Sequence, residues 1–150
     1  EEFLNSYFLK FPEIKEYMKS TISFCRKSGY VNNIFGRRCH ITGINDKNYN
    51  VRNFQERAAI NAPIQGSASE VMRLAMIRLN KRFNDLKNST SKILLQIHDE
   101  LIFEVPNDEV KSISKIIKDE MSSVKNSDLH SFSIPLTVDV NIGDNWGILH

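Results

Sequence analysis

The 150-residue sequence has few cysteines, few prolines and no long hydrophobic run. Its two cysteines, Cys25 and Cys39, form neither a metal-binding pair nor a disulfide framework, which is typical of a reduced intracellular compartment. No apolar stretch approaches the ~20 residues that span a bilayer, and the acidic start EEFLNSYFLKF lacks the basic region of a secretory signal. These absences exclude a disulfide-stapled secreted protein and predict that no membrane is involved.

Charge is unevenly distributed along the chain, although the net charge is only +2. Residues 1–91 carry 15 Lys/Arg against 8 Asp/Glu, whereas residues 92–150 carry 5 against 10. One half could therefore face a polyanion while the other concentrates carboxylates. Arg37 and Arg38, beside the glycine of FGRRCH, could contact a nucleic-acid backbone. The alternative is ordinary surface charge that happens to segregate.

The hydrophobic pattern predicts an α+β fold in which helices pack on a small antiparallel sheet. Two helices broken near Pro12 come first, and Gly29 is expected to end the second. Short extended segments follow around a turn that contains Gly36. Further along, one helix is predicted to end near Pro63 and another to run from about residue 65 to 86.

The segment KILLQIHDELIFEVP (residues 92–106) predicts two strands, because one strand of that length would far exceed the usual ~5–6 residues. We expect the break at His98–Asp99. A helix should follow, capped by Asn107 or Asp108. The alternation of apolar and polar residues after Pro135 predicts a last strand.

Asp99 and Glu100, adjacent at this break, are candidates for holding a metal ion. Burying two carboxylates in an apolar run is costly unless their charge is compensated, and carboxylate oxygens suit Mg²⁺. Neighbours on a strand point to opposite faces, so Asp99 would be the main ligand and Glu100 the auxiliary one. His98 fits hydrogen bonding or packing better than a Mg²⁺ site. The alternative is a solvated turn.

A second set of candidates, within QERAAINAPIQGSA, is rich in hydrogen-bond donors. Arg57 and Asn61 are four residues apart and share a helix face. Gln65, past the break predicted at Pro63, would lie near a helix N-terminus, where backbone N–H groups favour a phosphate. Together the three suit phosphates, sugars or minor-groove acceptors. A capping and inter-helix hydrogen-bond cluster is the alternative.

Four segments, read together, resemble the C-terminal part of bacterial family A DNA polymerases, the DNA polymerase I family. They are YVNNIFGRRCHITGI, ERAAINAPIQGSASEVMRLAMI, LLQIHDELIFEVP and IGDNW. The resemblance covers nearly the whole chain, in order and with consistent spacing, and ERAAIN-PIQGSA is close to family-specific. It implies a polymerase palm with the last fingers helices, the helical region at 1–91 and the palm hairpin, helix and strand at 92–150.

The resemblance also implies an activity, which is DNA-directed DNA synthesis in replication and repair by a two-Mg²⁺ mechanism. The aspartate of the family's HDE turn is a metal ligand, so Asp99 takes that role and Glu100 the supporting one. His98 matches a histidine close to the primer end. Residues that match the family's contacts to DNA, chiefly in the minor groove of the duplex, are Arg57, Asn61 and Gln65, with Arg37 and Arg38 near the template. Minor-groove acceptors are nearly the same for every base pair, so such contacts suit a polymerase.

The sequence departs from the family pattern at three places. Cys39 takes the place of the usual third arginine after the glycine, which affects one template contact. Thr42 replaces the usual proline. Ser69 and Glu70 in QGSASE replace the family's alanine and aspartate, and the carboxylate is kept.

The resemblance begins after the family's other metal-binding aspartate and after the helix that holds the incoming nucleotide. We expect a C-terminal piece of a polymerase, inactive alone and completed by the upstream part of the same protein. Its implied partners are primer–template DNA and dNTP, in the bacterial cytoplasm with the nucleoid and without a membrane. The alternative is a non-catalytic DNA-binding module that retains the duplex contacts. A nuclease built on His98–Asp99–Glu100 is not favoured, because no further cluster accompanies it and Asp139 and Asp144 are interpreted as surface residues.

Overall fold

The computed structural model describes residues 2–87, 89–124, 126–127 and 130–149. The helices in these residues are α1 (Glu2–Lys10), α2 (Pro12–Ser28), α3 (Tyr49–Asn84) and α4 (Val110–Ser123), with a 3₁₀ turn at Trp146–Ile148. The strands pair antiparallel in three two-stranded sheets: β1 (Tyr30–Asn32) with β2 (Arg38–His40), β3 (Lys92–Ile97) with β4 (Glu100–Glu104), and β5 (Asn126–Ser127) with β6 (His130–Ser131). The predicted α+β class is confirmed. None of the described helices is long and apolar enough to cross a membrane.

The chain divides into two compact units, Glu1–Ser67 and Ala68–His150. In the first unit the predicted break between two helices is confirmed, because Pro12 opens α2, where a missing N–H costs nothing. Gly29 ends α2 with φ +79° and donates its N–H to the Cys25 carbonyl at 2.7 Å. The buried core of this unit consists of Cys25, Val31, Ile41, Ile44 and Ala59.

The hairpin of the first unit turns at Gly36, as predicted, where the φ of +81° favours glycine. Its register pairs Val31 with Cys39 and Asn32 with Arg38. Val31 is buried and Asn32 is exposed, so the short strand alternates between the core and solvent.

The prediction that a helix ends near Pro63 is wrong, since α3 continues through it for 36 residues. An interior proline removes one helical hydrogen bond and crowds the preceding turn. Three side chains bond the backbone around this point. The Tyr17 hydroxyl donates to the Ile60 carbonyl at 2.9 Å, the Ser67 hydroxyl donates to the Pro63 carbonyl, and the Asn33 amide donates to the Gly66 carbonyl at 3.2 Å. Two contacts from residues distant in sequence, Tyr17 and Asn33, and one local contact from Ser67 therefore stabilise a helix that the proline would otherwise end.

The core of the second unit lies where α3, α4 and the β3–β4 hairpin meet. Its buried residues are Leu79, Phe83, Ile113 and Ile117. One face of the hairpin packs against them through Ile93, Leu101 and Phe103. The rings of Phe83 and Phe103 meet edge to face, with centroids 6.0 Å apart.

The hairpin contains a β-bulge near its start. Ile93 pairs with Phe103 and Leu95 pairs with Ile102, so Leu94 is an extra residue on β3. The register then continues without interruption to the turn. Leu94 and Leu95 are 48% and 41% exposed, which leaves the outer face of the hairpin partly apolar.

Two further predictions about the second unit are wrong. The residue that precedes α4 is Glu109, not Asn107 or Asp108, and its carboxylate accepts hydrogen bonds from the Ser89 and Ser91 hydroxyls instead of capping the helix. The strand predicted after Pro135 is absent from residues 132–142, which the structure describes without regular secondary structure. A strand requires a hydrogen-bonded neighbour, and β3 and β4 pair only with each other among the described strands.

Candidate functional site

The acidic pair lies at the tip of the β3–β4 hairpin, as predicted. Ile97 pairs with Glu100, so His98 and Asp99 form a two-residue turn. His98 has φ +50°, a left-handed conformation that few non-glycine residues adopt. The Gln96 side-chain amide donates to the His98 carbonyl at 3.0 Å. The break in the apolar run thus positions Asp99 on a short turn that its neighbours hold in place.

His98, Asp99 and Glu100 are all exposed. Water therefore solvates the two carboxylates, and no buried counter-charge is needed to tolerate them. Within the described part of the chain, neither Asp99 nor Glu100 takes part in an ion pair. Both carboxylates remain available to an external cation.

The donor set at this turn fits part of a Mg²⁺ site. Mg²⁺ prefers carboxylate oxygens, binds through only one or two of them and keeps several waters. Asp99 and Glu100 supply that number on adjacent residues. No group of three or more His, Cys, Asp or Glu residues that could hold a metal occurs among the residues described. The exposed turn can therefore contribute ligands to a site but does not form a complete one.

The second set of candidates forms a row along one face of α3. Arg57, Asn61 and Gln65 follow one another at intervals of four residues, and we call them the α3 donor row. All three line an open cavity of about 470 Å³, the α3 cavity, with a largely apolar remainder: Ile41, Phe54, Ala58 and Ala62. Phe54 is 61% exposed. The cavity offers polar donors beside an apolar surface, which suits a sugar or a base edge.

The position of Gln65 differs from the one predicted. Because α3 is continuous, Gln65 lies in the helix interior and not at an N-terminus, so the free N–H groups that would favour a phosphate there are not available. The uninterrupted helix instead keeps Gln65 on the same face as Arg57 and Asn61. The three side chains therefore come together on one helix face.

Arg37 and Arg38 lie on the β1–β2 hairpin and are both exposed. The Arg38 guanidinium stacks over the Tyr30 ring, 4.7 Å from its centroid. The Arg37 backbone is fixed on both sides, because its N–H donates to the Asn33 side chain at 2.9 Å and its carbonyl accepts from the Asn33 N–H at 3.0 Å. The turn that bears both arginines is thus well defined.

Asn33 is a residue that the sequence reading missed. It is 4% exposed, and its side-chain oxygen also accepts the Phe35 N–H at 3.0 Å. Beside it the Ile34 N–H donates to the Ser67 hydroxyl at 3.1 Å. Asparagine often bonds the backbone of the following residues, so the NN before IFG was the available signal. The hydrogen bond from its side-chain amide to the Gly66 carbonyl fixes the turn that bears Arg37 and Arg38, which we call the arginine turn, against α3.

The four residues that depart from the family pattern lie in different environments. Cys39 is half-buried and packs against the core of the first unit, while Thr42 and Ser69 are exposed. Glu70 is 6% exposed and accepts hydrogen bonds from Arg73. The kept carboxylate is therefore part of a structural ion pair.

Asp139 and Asp144 are exposed, as the sequence reading predicted. They lie in a segment for which the structure describes no regular strand. Their exposure agrees with their interpretation as surface residues.

Comparison with known proteins gives one consistent result. The family model described as DNA polymerase family A matches residues 1–148. The chain is 41% identical over 145 residues to DNA polymerase I of Caldicellulosiruptor bescii and 40% identical over 148 residues to that of Borreliella burgdorferi, and these matches cover 97% and 99% of the chain but 16% of each relative. A solved structure, the POL domain of Pol1 from M. smegmatis in complex with DNA primer-template and dNTP, is similar over 97% of the chain and 25% of its own length, with a TM-score of 0.88 and 34% identity.

Proposed function

The chain belongs to DNA polymerase family A, and on that premise we propose that it is a segment of a DNA-directed DNA polymerase. Such an enzyme adds nucleotides from dNTP to the 3′ end of a primer along a template. The relatives that carry the name DNA polymerase I are about six times longer than the matched segment, because the match covers 16% of each. The similar M. smegmatis domain was solved with primer-template and dNTP, and we propose the same partners here.

The observation that carries this proposal is the free acidic pair at the hairpin tip. Asp99 and Glu100 are exposed, adjacent and without an ion-pair partner in the described residues, and the HDE turn that holds them matches the family's motif. Buried carboxylates are usually paired or bonded to the protein, as Glu70 is. A turn that presents two unpaired carboxylates is suited to binding a cation together with a phosphate-bearing substrate.

We propose that Asp99 is the principal Mg²⁺ ligand and Glu100 the auxiliary one. Bound Mg²⁺ would supply charge stabilisation to the attacking primer oxygen and to the leaving pyrophosphate in a two-metal site. The chain's own part is to hold these carboxylates on a fixed turn. A further carboxylate from the upstream part of the polymerase would complete the site, since the described residues contain no larger ligand group.

The remaining candidates are proposed to hold DNA. Arg57, Asn61 and Gln65 would donate to minor-groove acceptors, which differ little between base pairs, while the apolar part of the α3 cavity would contact the sugars. Arg37 and Arg38 would contact the template backbone from their fixed turn. His98, next to Asp99, would lie near the primer end.

The isolated 150-residue chain is proposed to be inactive, because it lacks a complete metal site among its described residues. Activity would require the upstream part of the same polymerase. The enzyme would act in the bacterial cytoplasm on the DNA of the nucleoid.

The test is primer extension by the full-length polymerase with Asp99→Asn, which keeps the size of the side chain and removes its charge. We expect kcat to fall by about 10³-fold, or roughly 4 kcal/mol of transition-state stabilisation, at unchanged primer-template affinity. Asp139→Asn is the matched control, since Asp139 is also exposed, and it should extend primers at the wild-type rate. Undiminished extension by Asp99→Asn would refute the catalytic role, and extension by the isolated chain above background would refute its inactivity.

A second function, a non-catalytic DNA-binding module, is favoured by the α3 cavity. The cavity and the arginine turn lie in the first compact unit, whereas the acidic turn lies in the second. A binding module would bind duplex DNA with strong salt dependence. It would do so without Mg²⁺, and its full-length protein would not extend primers.

A further inference from the structure

A second open cavity, of about 460 Å³, is lined by α2 and α3 in the first compact unit. Three of its lining side chains are cationic, and the others are a hydroxyl, an alkyl group and a carboxylate. They are Lys19, Arg26, Lys27, Ser23, Ile22 and Glu56. None of them belongs to the α3 donor row or to the arginine turn, so the site proposed above does not account for this cavity.

Three of the polar residues that line the cavity form a row along α2. Lys19, Ser23 and Lys27 are spaced four residues apart and share one helix face; we call them the α2 row. Arg26 lies beside it, and after Glu16 no acidic residue occurs in α2. This face is therefore a strip of hydrogen-bond donors with charge of one sign.

Structural roles explain only part of this charge. Cations in the last turn complement the helix dipole, which accounts for Arg26 and Lys27, and Arg26 also pairs with Glu56. Lys19 lies about two turns earlier, where the dipole contributes little. Over the described ranges, neither Lys19 nor Lys27 has an ion-pair partner. Two lysines thus remain available to an external anion.

The backbone beneath the α2 row is held in place. The Gly29 N–H bonds the Cys25 carbonyl at 2.7 Å, and the Asn45 side-chain amide donates to the Arg26 carbonyl at 2.8 Å. Cys25 itself is fully buried in the core, while the pair with Glu56 fixes the guanidinium at the edge of the cavity. An anion would meet a site that is already formed, which lowers the entropic cost of binding.

The length of the α2 row indicates what kind of anion it fits. Lys27 follows Lys19 by eight positions, so the row spans about 12 Å at 1.5 Å per residue. One phosphate cannot contact both ends, whereas a nucleic-acid strand carries phosphates at short, regular intervals. Lysine and serine contact phosphates without reading bases, and no aromatic ring lines the cavity to stack on a base. The row therefore fits the backbone of one strand.

The neighbouring α3 cavity connects the α2 row with the duplex site proposed above. Glu56 and Arg57 are consecutive in α3, so their side chains point about 100° apart, and each lines a different cavity. The two cavities flank the same turn of α3. A strand that leaves a duplex held at Arg57 can therefore continue along α2.

We propose that the α2 row binds the phosphodiester backbone of the unpaired template strand ahead of the primer end. This inference rests on the polymerase function proposed above. It adds a contact with single-stranded DNA to the contacts with the duplex.

The experiment compares two substrates of the full-length polymerase, a primer-template with a 10-nucleotide 5′ overhang and a blunt duplex of the same paired sequence. The variant Lys19→Gln/Lys27→Gln removes both charges at exposed positions. The matched control is Lys115→Gln/Lys118→Gln, which removes two charges from the exposed side of α4. Dissociation constants are measured by fluorescence anisotropy across a series of salt concentrations.

For the overhang substrate, we expect the slope of log Kd against log salt to fall by about 1.4 in the α2 variant, since each lost single-strand phosphate contact contributes about 0.7. The control variant should keep the wild-type slope on both substrates, and the α2 variant should keep it on the blunt duplex. An unchanged slope with the overhang, or an equal loss with the blunt duplex, would overturn the proposal. Primer extension by the wild type in the same samples reports separately on the polymerase function.

A chemical footprint distinguishes a strand from free phosphate. Lys19 and Lys27 of the wild type are acylated in the presence of the overhang substrate or of inorganic phosphate at the same phosphate concentration. Protection by the overhang substrate alone is expected. Equal protection by inorganic phosphate would show a single-phosphate site and would overturn the assignment to a strand.

Discussion

Asn33 and Gly66 are joined by a hydrogen bond of 3.2 Å in which a buried side-chain amide donates to a helix carbonyl. A Cβ placed on Gly66 would lie 3.6 Å from the Cβ of Asn33, in ordinary contact. The hairpin that bears Arg37 and Arg38 thus approaches α3 one residue from Gln65. Through this bond, two sets of residues proposed to contact DNA are held in one arrangement.

The first prediction concerns the stability that this bond provides. Asn33→Ala would remove the side-chain partner of the Gly66 carbonyl and of the N–H groups of Phe35 and Arg37, at hydrogen bonds that are partly buried. Because each such group costs about 1–3 kcal/mol when it is left unsatisfied, and water would reach some of them, we expect unfolding free energy to fall by about 3 kcal/mol. Urea denaturation measures the change.

Asn45→Ala is the control for this prediction. Asn45 also donates one side-chain hydrogen bond to a backbone carbonyl, that of Arg26, but it is exposed. Its replacement should cost less than about 1 kcal/mol, since water can replace the bond. Equal losses in the two variants would contradict the role assigned to Asn33.

Pro63 gives the second prediction. A proline in a helix interior is about 3 kcal/mol less favourable than alanine, and the bonds from Tyr17, Ser67 and Asn33 offset part of that cost. We expect Pro63→Ala to raise the unfolding free energy by about 1 kcal/mol, measured by urea denaturation. Pro106→Ala, outside any helix, should give no gain, and a loss of stability in Pro63→Ala would contradict a net cost of the proline in α3.

The third prediction uses the left-handed turn at His98. A non-glycine residue in this region costs roughly 1–2 kcal/mol, whereas glycine adopts it freely but loses more chain entropy on folding. We expect His98→Gly to stabilise the protein by about 0.5 kcal/mol. His98→Val should destabilise it by 1 kcal/mol or more, because β-branched residues tolerate positive φ poorly. Thermal unfolding of the two variants should shift in opposite directions, and a shift in the same direction would exclude backbone strain as the cause.

The fourth prediction follows from the burial of Cys25, which raises the pKa of its thiol. An unfolded thiol ionises near pH 8.5, while the folded one stays neutral to higher pH. The contribution to stability is therefore complete below about pH 8.5 and is lost as the pH rises through the raised folded value. Unfolding free energy should fall between pH 7.5 and 9.5 in the wild type.

Two variants isolate this effect. Cys25→Ala should be less stable than the wild type at pH 7.5, because it removes buried volume, but its stability should fall less on going to pH 9.5. Cys39→Ala should keep the alkaline loss of the wild type. The same loss in Cys25→Ala as in the wild type would assign the pH dependence to another group.

The parts of the fold that local chemistry determines were predictable from the sequence. Pro12 and Gly29 mark helix ends because a missing N–H and a positive φ suit those positions. The break at His98–Asp99 was predictable because polar residues interrupt an apolar run longer than a normal strand. In each case one or two neighbouring residues fix the backbone.

The parts that depend on distant contacts were not predictable. Pro63 would end a helix by local rules, whereas α3 continues through it and Tyr17 and Asn33, both distant in sequence, bond the backbone nearby. The alternation after Pro135 satisfies the pattern of a strand, but pairing requires a neighbour that the pattern does not contain. The presence of partners far apart in sequence in the first case, and the lack of a pairing strand in the second, are features that a local pattern does not contain.

The candidate site shows the same division. The positions of Asp99 and Glu100 at the hairpin tip followed from the sequence, whereas their exposure did not, because burial depends on what surrounds the hairpin. The common face of Arg57 and Asn61 followed from helical spacing. The alignment of Gln65 with them did not, since it depends on the continuity of α3.

The bulge at Leu94 gives the hairpin one residue more than its pairing requires. Removing Leu94 would bring Ile93 and Leu95 into an unbroken ladder opposite Phe103 and Ile102, and every later pair and the turn itself would stay the same. Because a bulge bends its strand and increases the local twist, a single-codon deletion there should keep the turn residues but change the direction in which the hairpin presents the Asp99 carboxylate. A homologous hairpin without this extra residue would keep the same acidic turn and aim it in a different direction.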